Sequence, residues 1–143
     1  MAKVQVSLGL LAVSLAFLVI YGADVAVVAS SPDEVGFLPP EFDDAMRGAI
    51  LGGGAVIMSI VAFVIARKEP SSIVTVLLFV NGGLIIAGML VLIGQGALAS
   101  ENAEGAMRTI SSTIAMGAIL VGLGGWKAAT DRRVAGKKEQ AST

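Results

Sequence analysis

The chain has 143 residues, of which 55% are hydrophobic and 15% are charged, and its formal net charge is −1. A mean hydropathy of +0.85 excludes an ordinary soluble domain of this size, because such a domain needs a polar surface around its core. The absence of cysteine and histidine excludes disulfides, thiolate metal sites and the usual zinc and haem ligands. The composition therefore predicts an integral membrane protein.

Four apolar runs follow one another along the chain, each close to the ~20 residues that a helix needs to cross ~30 Å of hydrocarbon. They predict transmembrane helices at about 4–28, 42–66, 72–98 and 103–127. The alternation typical of membrane barrels is missing, so we predict an all-α fold: one membrane domain, 1–143, that is a bundle of four transmembrane helices. The first run is longer than the core of a signal peptide, and we expect it to be retained.

Basic residues mark the cytoplasmic side of a membrane protein, and here they are unevenly distributed. One side of a four-helix serpentine has eight of them: Lys3, Arg67, Lys68, Lys127, Arg132, Arg133, Lys137 and Lys138. The other side has Arg47 and Arg108 together with most of the acids. We therefore predict that both termini and a basic tail, 128–143, are cytoplasmic. The acidic loops, including an outer loop at 29–41, are expected on the extracytoplasmic face of the cell membrane.

Two short stretches of the chain resemble each other: residues 41–50 read EFDDAMRGAI, and residues 101–110 read ENAEGAMRTI. Each has acids at the predicted start of a helix, where the helix dipole favours them, and an arginine about one turn further on. Each arginine can pair with an acid three or four residues back: Arg47 with Asp43 or Asp44, and Arg108 with Glu104. The similarity predicts a tandem repeat of two helical hairpins with the same orientation. Convergence on a good helix start is the alternative explanation.

Small residues spaced four apart allow transmembrane helices to approach closely, and three of the predicted helices contain such pairs. The expected helix-packing positions are Gly48, Gly52, Ala55, Ser59, Gly83, Ala87, Ala118 and Gly122. Three further residues stand near predicted helix ends and are expected to anchor the chain in the membrane interface: Tyr21, Trp126 and Lys127.

Polar residues inside or beside the apolar runs are the candidates for a functional role. Asp24 can be an ion or proton site, or a partner for Arg47 or Arg108. We favour a third interpretation, an interfacial carboxylate in contact with water. Asn81 can line a substrate path, but a hydrogen bond to another helix is the favoured interpretation.

The sequence has no catalytic, cofactor-binding or metal-binding motif. We therefore expect that the chain is not an enzyme in itself and that it has no cofactor other than bound lipid. The basic tail is too short to indicate nucleic-acid binding. We predict a small non-catalytic accessory subunit of a larger prokaryotic membrane complex, for example a respiratory oxidase or a membrane monooxygenase. Its partners would be other membrane subunits and the lipid bilayer, and the inserted loop 31–40 is expected to touch a partner. A small transporter or channel that works as a homo-oligomer is the alternative.

Overall fold

The computed structural model describes residues 2–31, 36–39, 41, 44–96, 99 and 103–143, with the side chains of residues 29, 44 and 45 excepted. Within these residues the chain is helical and contains no strand. Four stretches are long and apolar enough to cross a membrane: Ala2–Val28, Gly48–Ala66, Ser72–Gly94 and Ala103–Ala141. The prediction of an all-helical chain with four such helices is confirmed.

Five α-helices and one π-helical segment make up the described fold. They are α1 (Ala2–Ser30), α2 (Asp44–Arg47), the π-helical segment (Gly48–Gly53), α3 (Gly54–Ala66), α4 (Ser72–Gly94) and α5 (Ala103–Ala141). The segment from α2 to α3 follows a single helical path, because no residue between them leaves a helical state. The start predicted for the second helix, at about 42, lies outside the described residues, as does the end predicted for the third, at about 98.

The helices pack as two hairpins that lie side by side. α1 packs mainly on α3, α4 packs mainly on α5, and the hairpins meet chiefly where α1 contacts α4. One apolar cluster centres on Leu11, Phe63 and Leu78, and a second on Leu18 and Leu120. These two clusters, which we call layers, contain most of the buried hydrophobic residues that the structure describes.

The π-helical segment determines which residues of the α2–α3 path face α1. In an uninterrupted α-helix Arg47 and Ala55, eight residues apart, would point in directions about 80° apart. A π-helical segment has more residues per turn and reduces that difference. As a result, the Arg47 side chain and the Ala55 carbonyl both contact α1.

Two backbones approach each other closely where α4 and α5 cross at Gly82 and Gly117. A Cβ atom added to Gly82 would lie 2.8 Å from the Gly117 carbonyl oxygen, and one added to Gly117 would lie 3.0 Å from that of Gly82. Only glycine fits both positions without moving backbone. Gly124, two turns further along α5, packs against Phe79.

The two glycines at this crossing each stand one position before a predicted packing residue, Gly83 or Ala118. Gly83, Ala87, Ala118 and Gly122 are exposed, and a Cβ added to Gly83 or Gly122 would meet no atom within 4 Å. Their role in helix packing stays a prediction, because neighbouring small residues point about 100° apart and spacing alone does not show which helix each one faces.

The other four predicted packing positions lie on the α2–α3 path. Ala55 and Ser59 are buried against α1. A Cβ added to Gly48 would approach the Tyr21 hydroxyl at 3.3 Å, whereas one added to Gly52 would meet no atom within 4 Å.

The helix α5 is much longer than a membrane is thick. Its 39 residues correspond to a length of about 58 Å. The segment predicted as a basic tail is therefore helical as far as Ala141, and Arg132, Arg133, Lys137 and Lys138 are exposed along it.

Candidate functional site

At one end of the bundle, Asp24 and Arg47 form a buried ion pair. The Asp24 side chain lies within the last two turns of α1, and only 2% of its surface is exposed. Arg47 Nη1 donates to Asp24 Oδ2 at 3.1 Å, and the backbone N–H of Leu38 donates to Oδ1 at 3.1 Å. The favoured interpretation of Asp24 as a carboxylate in contact with water is therefore wrong. Residues 36–39 fold back over the carboxylate and cover it.

The same ion pair fixes residues 36–39, which we call the clamped loop. Arg47 Nη2 reaches the carbonyl oxygens of Leu38 and Pro39, each at 3.4 Å. A Cβ added to Gly36 would overlap Oδ1 of Asp24, so a glycine is needed where the backbone lies against the carboxylate. The clamped loop is thus held by contacts of its backbone with Asp24 and Arg47. None of these contacts involves the Phe37 side chain.

A cavity of about 210 Å³ opens beside this pair. It is lined by Tyr21, Asp24, Val25, Val28, Arg47 and Leu92. Three of these six residues are aliphatic, and the two charged groups pair with each other. The cavity therefore favours a small uncharged or zwitterionic guest over a free ion.

In the middle of the bundle, Ser14, Ser59 and Asn81 form a buried hydrogen-bonded cluster. The Ser14 hydroxyl donates to the Ala55 carbonyl at 2.8 Å and lies 2.9 Å from the Ser59 hydroxyl. Asn81 Nδ2 donates to Ser14 at 3.1 Å and to Ser59 at 3.2 Å. The cluster ties α1, α3 and α4 together. Asn81 Oδ1 accepts no hydrogen bond from the part of the chain that the structure describes.

At the opposite end, Lys127 and Asp131 form a second buried pair. Lys127 Nζ donates to Asp131 Oδ1 at 2.7 Å and to the Glu69 carbonyl at 2.6 Å, and Asp131 Oδ2 accepts from the backbone N–H of Ser71. Lys127 is 1% exposed, so its prediction as an interfacial anchor is wrong. Because α5 continues past residue 127, Asp131 lies one turn further on, and the turn between α3 and α4 covers the ammonium group.

The two predicted aromatic anchors have different surroundings. Trp126 is exposed. The centroid of its ring lies 5.4 Å from Cζ of Arg67 and 6.3 Å from the centroid of the Phe63 ring. Tyr21 is partly buried beside the Asp24 cavity. Trp126 therefore lies on the surface of the bundle, whereas Tyr21 is partly packed between helices at the Asp24 end.

Arg108 does not reproduce the contacts of Arg47. It is exposed, and within the described residues it forms no ion pair with Glu104. The partners first expected for Arg47 cannot be compared, because Asp43 and the side chain of Asp44 lie outside the described residues.

The serines of α1 also belong to the site, and their spacing in the sequence carries a signal. Ser7, Leu11, Ser14 and Leu18 are buried at alternating intervals of four and three residues, which is the pattern of a single packed helix face. Ser7 also donates across the interface, to the Ala62 carbonyl at 2.9 Å. The i,i+4 spacing of Lys127 and Asp131 was a second available signal.

The polar groups described so far lie at three separate levels of the bundle. The layer around Leu18 and Leu120 lies between the Asp24–Arg47 pair and the serine–asparagine cluster, and the layer around Leu11 and Leu78 lies beyond that cluster. A second cavity, of about 410 Å³, lies at the Lys127 end between α4 and α5. In the described residues these polar levels are separated by apolar packing.

Fold and sites together define a class of protein: an all-helical chain with four helices long and apolar enough to cross a membrane. Comparison of the chain with protein-family models, with curated proteins and with solved structures finds no match in any of the three. A function is therefore argued from the surfaces and contacts of the chain itself.

Proposed function

We propose that this chain is a non-catalytic accessory subunit of a larger prokaryotic membrane complex, such as a respiratory oxidase or a membrane monooxygenase. It would cross the cell membrane four times, with both termini and the Lys127 end in the cytoplasm. The excess of basic residues at that end supports this orientation. The subunit would stabilise the complex by packing its helices against those of its partners.

The carrying observation is the small-residue face of α4 and α5, defined by Gly83, Ala87, Ala118 and Gly122. These residues are exposed. Antiparallel helices turn in opposite senses when viewed along a common axis. The residues that follow Gly82 and Gly117, which are Gly83 and Ala118, therefore point toward the same side of the helix pair. The four residues consequently lie on the same side of the α4–α5 pair.

A face of this kind is suited to a partner helix. Lipid gives helices little hydrophobic reason to associate, and close packing of backbones over small residues is one of the forces that bring them together. Bulky side chains would fill the same area equally well if only lipid covered it. The small-residue face therefore supports a structural subunit over a free-standing bundle.

Purification in a gentle detergent, followed by native mass analysis and identification of co-purifying chains, tests the proposal. The wild type should carry partner subunits, and Gly83→Leu combined with Gly122→Leu should lose them. Gly9→Leu is the matched control, because Gly9 is also exposed with no atom within 4 Å of an added Cβ, but on α1. If the wild type emerges alone or only as a homo-oligomer, the accessory function is wrong.

The orientation is tested separately with single cysteines, which the cysteine-free chain makes simple. Glu41 and Lys137 are both exposed, at opposite ends of the bundle. An impermeant maleimide added to intact cells should label Glu41→Cys, and should label Lys137→Cys only after permeabilisation. The reverse pattern would contradict the proposed topology.

A small transporter or channel remains the second candidate, and the cavity beside the Asp24–Arg47 pair favours it. Ionisable residues within membrane helices commonly mark substrate or ion pathways. The chain reconstituted alone into vesicles would then support a flux that disappears in Asp24→Asn or Asn81→Leu. Absence of flux in the wild type would remove this candidate.

A further inference from the structure

We infer that the clamped loop is a docking element that presents Phe37 to an apolar pocket with a basic rim on a neighbouring membrane subunit. This inference rests on the proposed accessory function and names one of its contact surfaces. It concerns the end of the bundle opposite Lys127, and it is separate from the small-residue face of α4 and α5.

The first argument is that the loop is held rigid by its backbone. Asp24 accepts from the Leu38 N–H, and Arg47 contacts the carbonyls of Leu38 and Pro39. Gly36 lies against the Asp24 carboxylate so closely that a Cβ would overlap it. A loop ordered before binding loses little conformational entropy on binding, which raises its affinity for a partner.

The second argument is the side chain that this loop presents. Phe37 lies between the two anchored residues Gly36 and Leu38, and 56% of its surface is exposed. Met46, which precedes Arg47, is 50% exposed at the same end of the bundle. Exposed aromatic side chains and methionines are enriched at protein interfaces, and aromatic side chains are frequent among the residues that dominate binding.

The third argument is charge, which separates a protein partner from the lipid surface. The sequence around the loop carries five carboxylates: Asp33, Glu34, Glu41, Asp43 and Asp44. Residues 31–47 contain one base, Arg47, and it pairs with Asp24. Carboxylates are costly to bring toward the hydrocarbon, so insertion of Phe37 into lipid, which would draw them there, is disfavoured. A partner surface with lysine or arginine around an apolar pocket complements it.

Site-specific photo-crosslinking in native membranes tests the inference. Phe37→p-benzoylphenylalanine should crosslink one membrane protein, through a peptide in which apolar residues are flanked by lysine or arginine. Ile57→p-benzoylphenylalanine is the control, because Ile57 is 64% exposed in the middle of α3, and it should not yield that product. A crosslink to lipid alone, or to a second copy of this chain, would overturn the inference.

Two substitutions separate the roles of Phe37 and of charge. Phe37→Ala should reduce retention of the partner by about tenfold or more, with an unchanged melting temperature because the side chain is exposed. Glu41→Lys should lower the crosslinking yield several-fold, whereas Glu104→Lys, an exposed acid at the same end on α5, should leave it unchanged. Equal losses in both charge variants would argue against a specific basic rim.

A third substitution tests the rigidity of the loop. Gly36→Val keeps Phe37 but displaces the backbone from Asp24, and it should reduce retention of the partner as well. If partners co-purify with the wild type and equally well with Phe37→Ala, the docking surface is wrong while the accessory function stands. If no partner co-purifies with the wild type, the accessory function itself fails.

Discussion

The two hairpins of the bundle begin their second helices with similar sequences but are joined in different ways. α1 and α3 are connected by side chains: Ser7 and Ser14 donate to carbonyls of α3, and Asp24 binds Arg47. α4 and α5 are connected in mid-helix by backbone contact at Gly82 and Gly117. The shared Ala-Met-Arg sequence therefore does not determine how either hairpin is held together.

The partner helix accounts for the difference. Aligning VVAS at 27–30 with ALAS at 97–100 places Gly94 opposite Asp24. Arg47 has a carboxylate in reach on α1, whereas Arg108 would find only a glycine on α4 and is exposed. An arginine at a helix start is buried only where the neighbouring helix supplies an acid. The tandem repeat itself stays a prediction, since similar helix starts also arise by convergence.

The largest effect is expected from Arg47→Leu, which leaves the Asp24 carboxylate buried without its cation. Removing one partner of a buried ion pair typically lowers the free energy of unfolding by about 3–5 kcal/mol. Equilibrium unfolding in detergent, followed by circular dichroism, measures this change. The double variant Asp24→Leu with Arg47→Leu should recover much of the loss, because apolar pairs often replace buried ion pairs without cost. No recovery would show that the clamped loop, and not the charge, dominates.

A smaller loss of about 1–3 kcal/mol is expected for Gly117→Val, because the added side chain overpacks the crossing with α4. An added Cβ would lie 2.8 Å from Ile86 and 3.0 Å from the Gly82 carbonyl. Gly122→Val is the matched control on the same helix, since an added Cβ there meets no atom within 4 Å. Thermal unfolding of both variants should separate them, and equal melting temperatures would place the crossing elsewhere.

Ser14→Ala tests the polar interface of the first hairpin and should cost about 0.6–1.7 kcal/mol, between the average and the largest value for hydrogen bonds between membrane helices. Ser14 contacts Ala55, Ser59 and Asn81, whereas the equally buried Ser7 makes one hydrogen bond, to Ala62. Ser7→Ala is therefore the control and should be less destabilised. A larger effect at Ser7 would contradict the central role of the cluster.

The fold was largely predictable from the sequence because its main determinant is local. Apolar length predicts each long helix independently of the others, and no knowledge of packing is needed. The facing positions of α4 and α5 were not predictable in the same way. Gly82 and Gly83 stand side by side, and the choice between them depends on the rotation of α4 against its neighbours.

The candidate site was predictable only in part, because its contacts also depend on how the helices pack against one another. Asp24 and Arg47 were singled out individually, but their contact joins residues 23 apart and needs the clamped loop and the π-helical segment to form. Neither of these is encoded by a short motif. Lys127 and Asp131 are four residues apart and could have been paired from spacing alone. The adjacent Trp126 is instead typical of a membrane interface, and it favours an anchoring role for Lys127.

The smallest effect is expected for Arg108→Leu, which makes the same change as Arg47→Leu at the matching position of the second hairpin. Arg108 is exposed and forms no ion pair with Glu104 within the described residues, so the free energy of unfolding should change by less than about 0.5 kcal/mol. The same denaturation experiment measures both arginine variants. A loss at Arg108 comparable with that at Arg47 would mean that the two hairpins are stabilised alike. In that case the acid supplied by the neighbouring helix would not explain the difference between them.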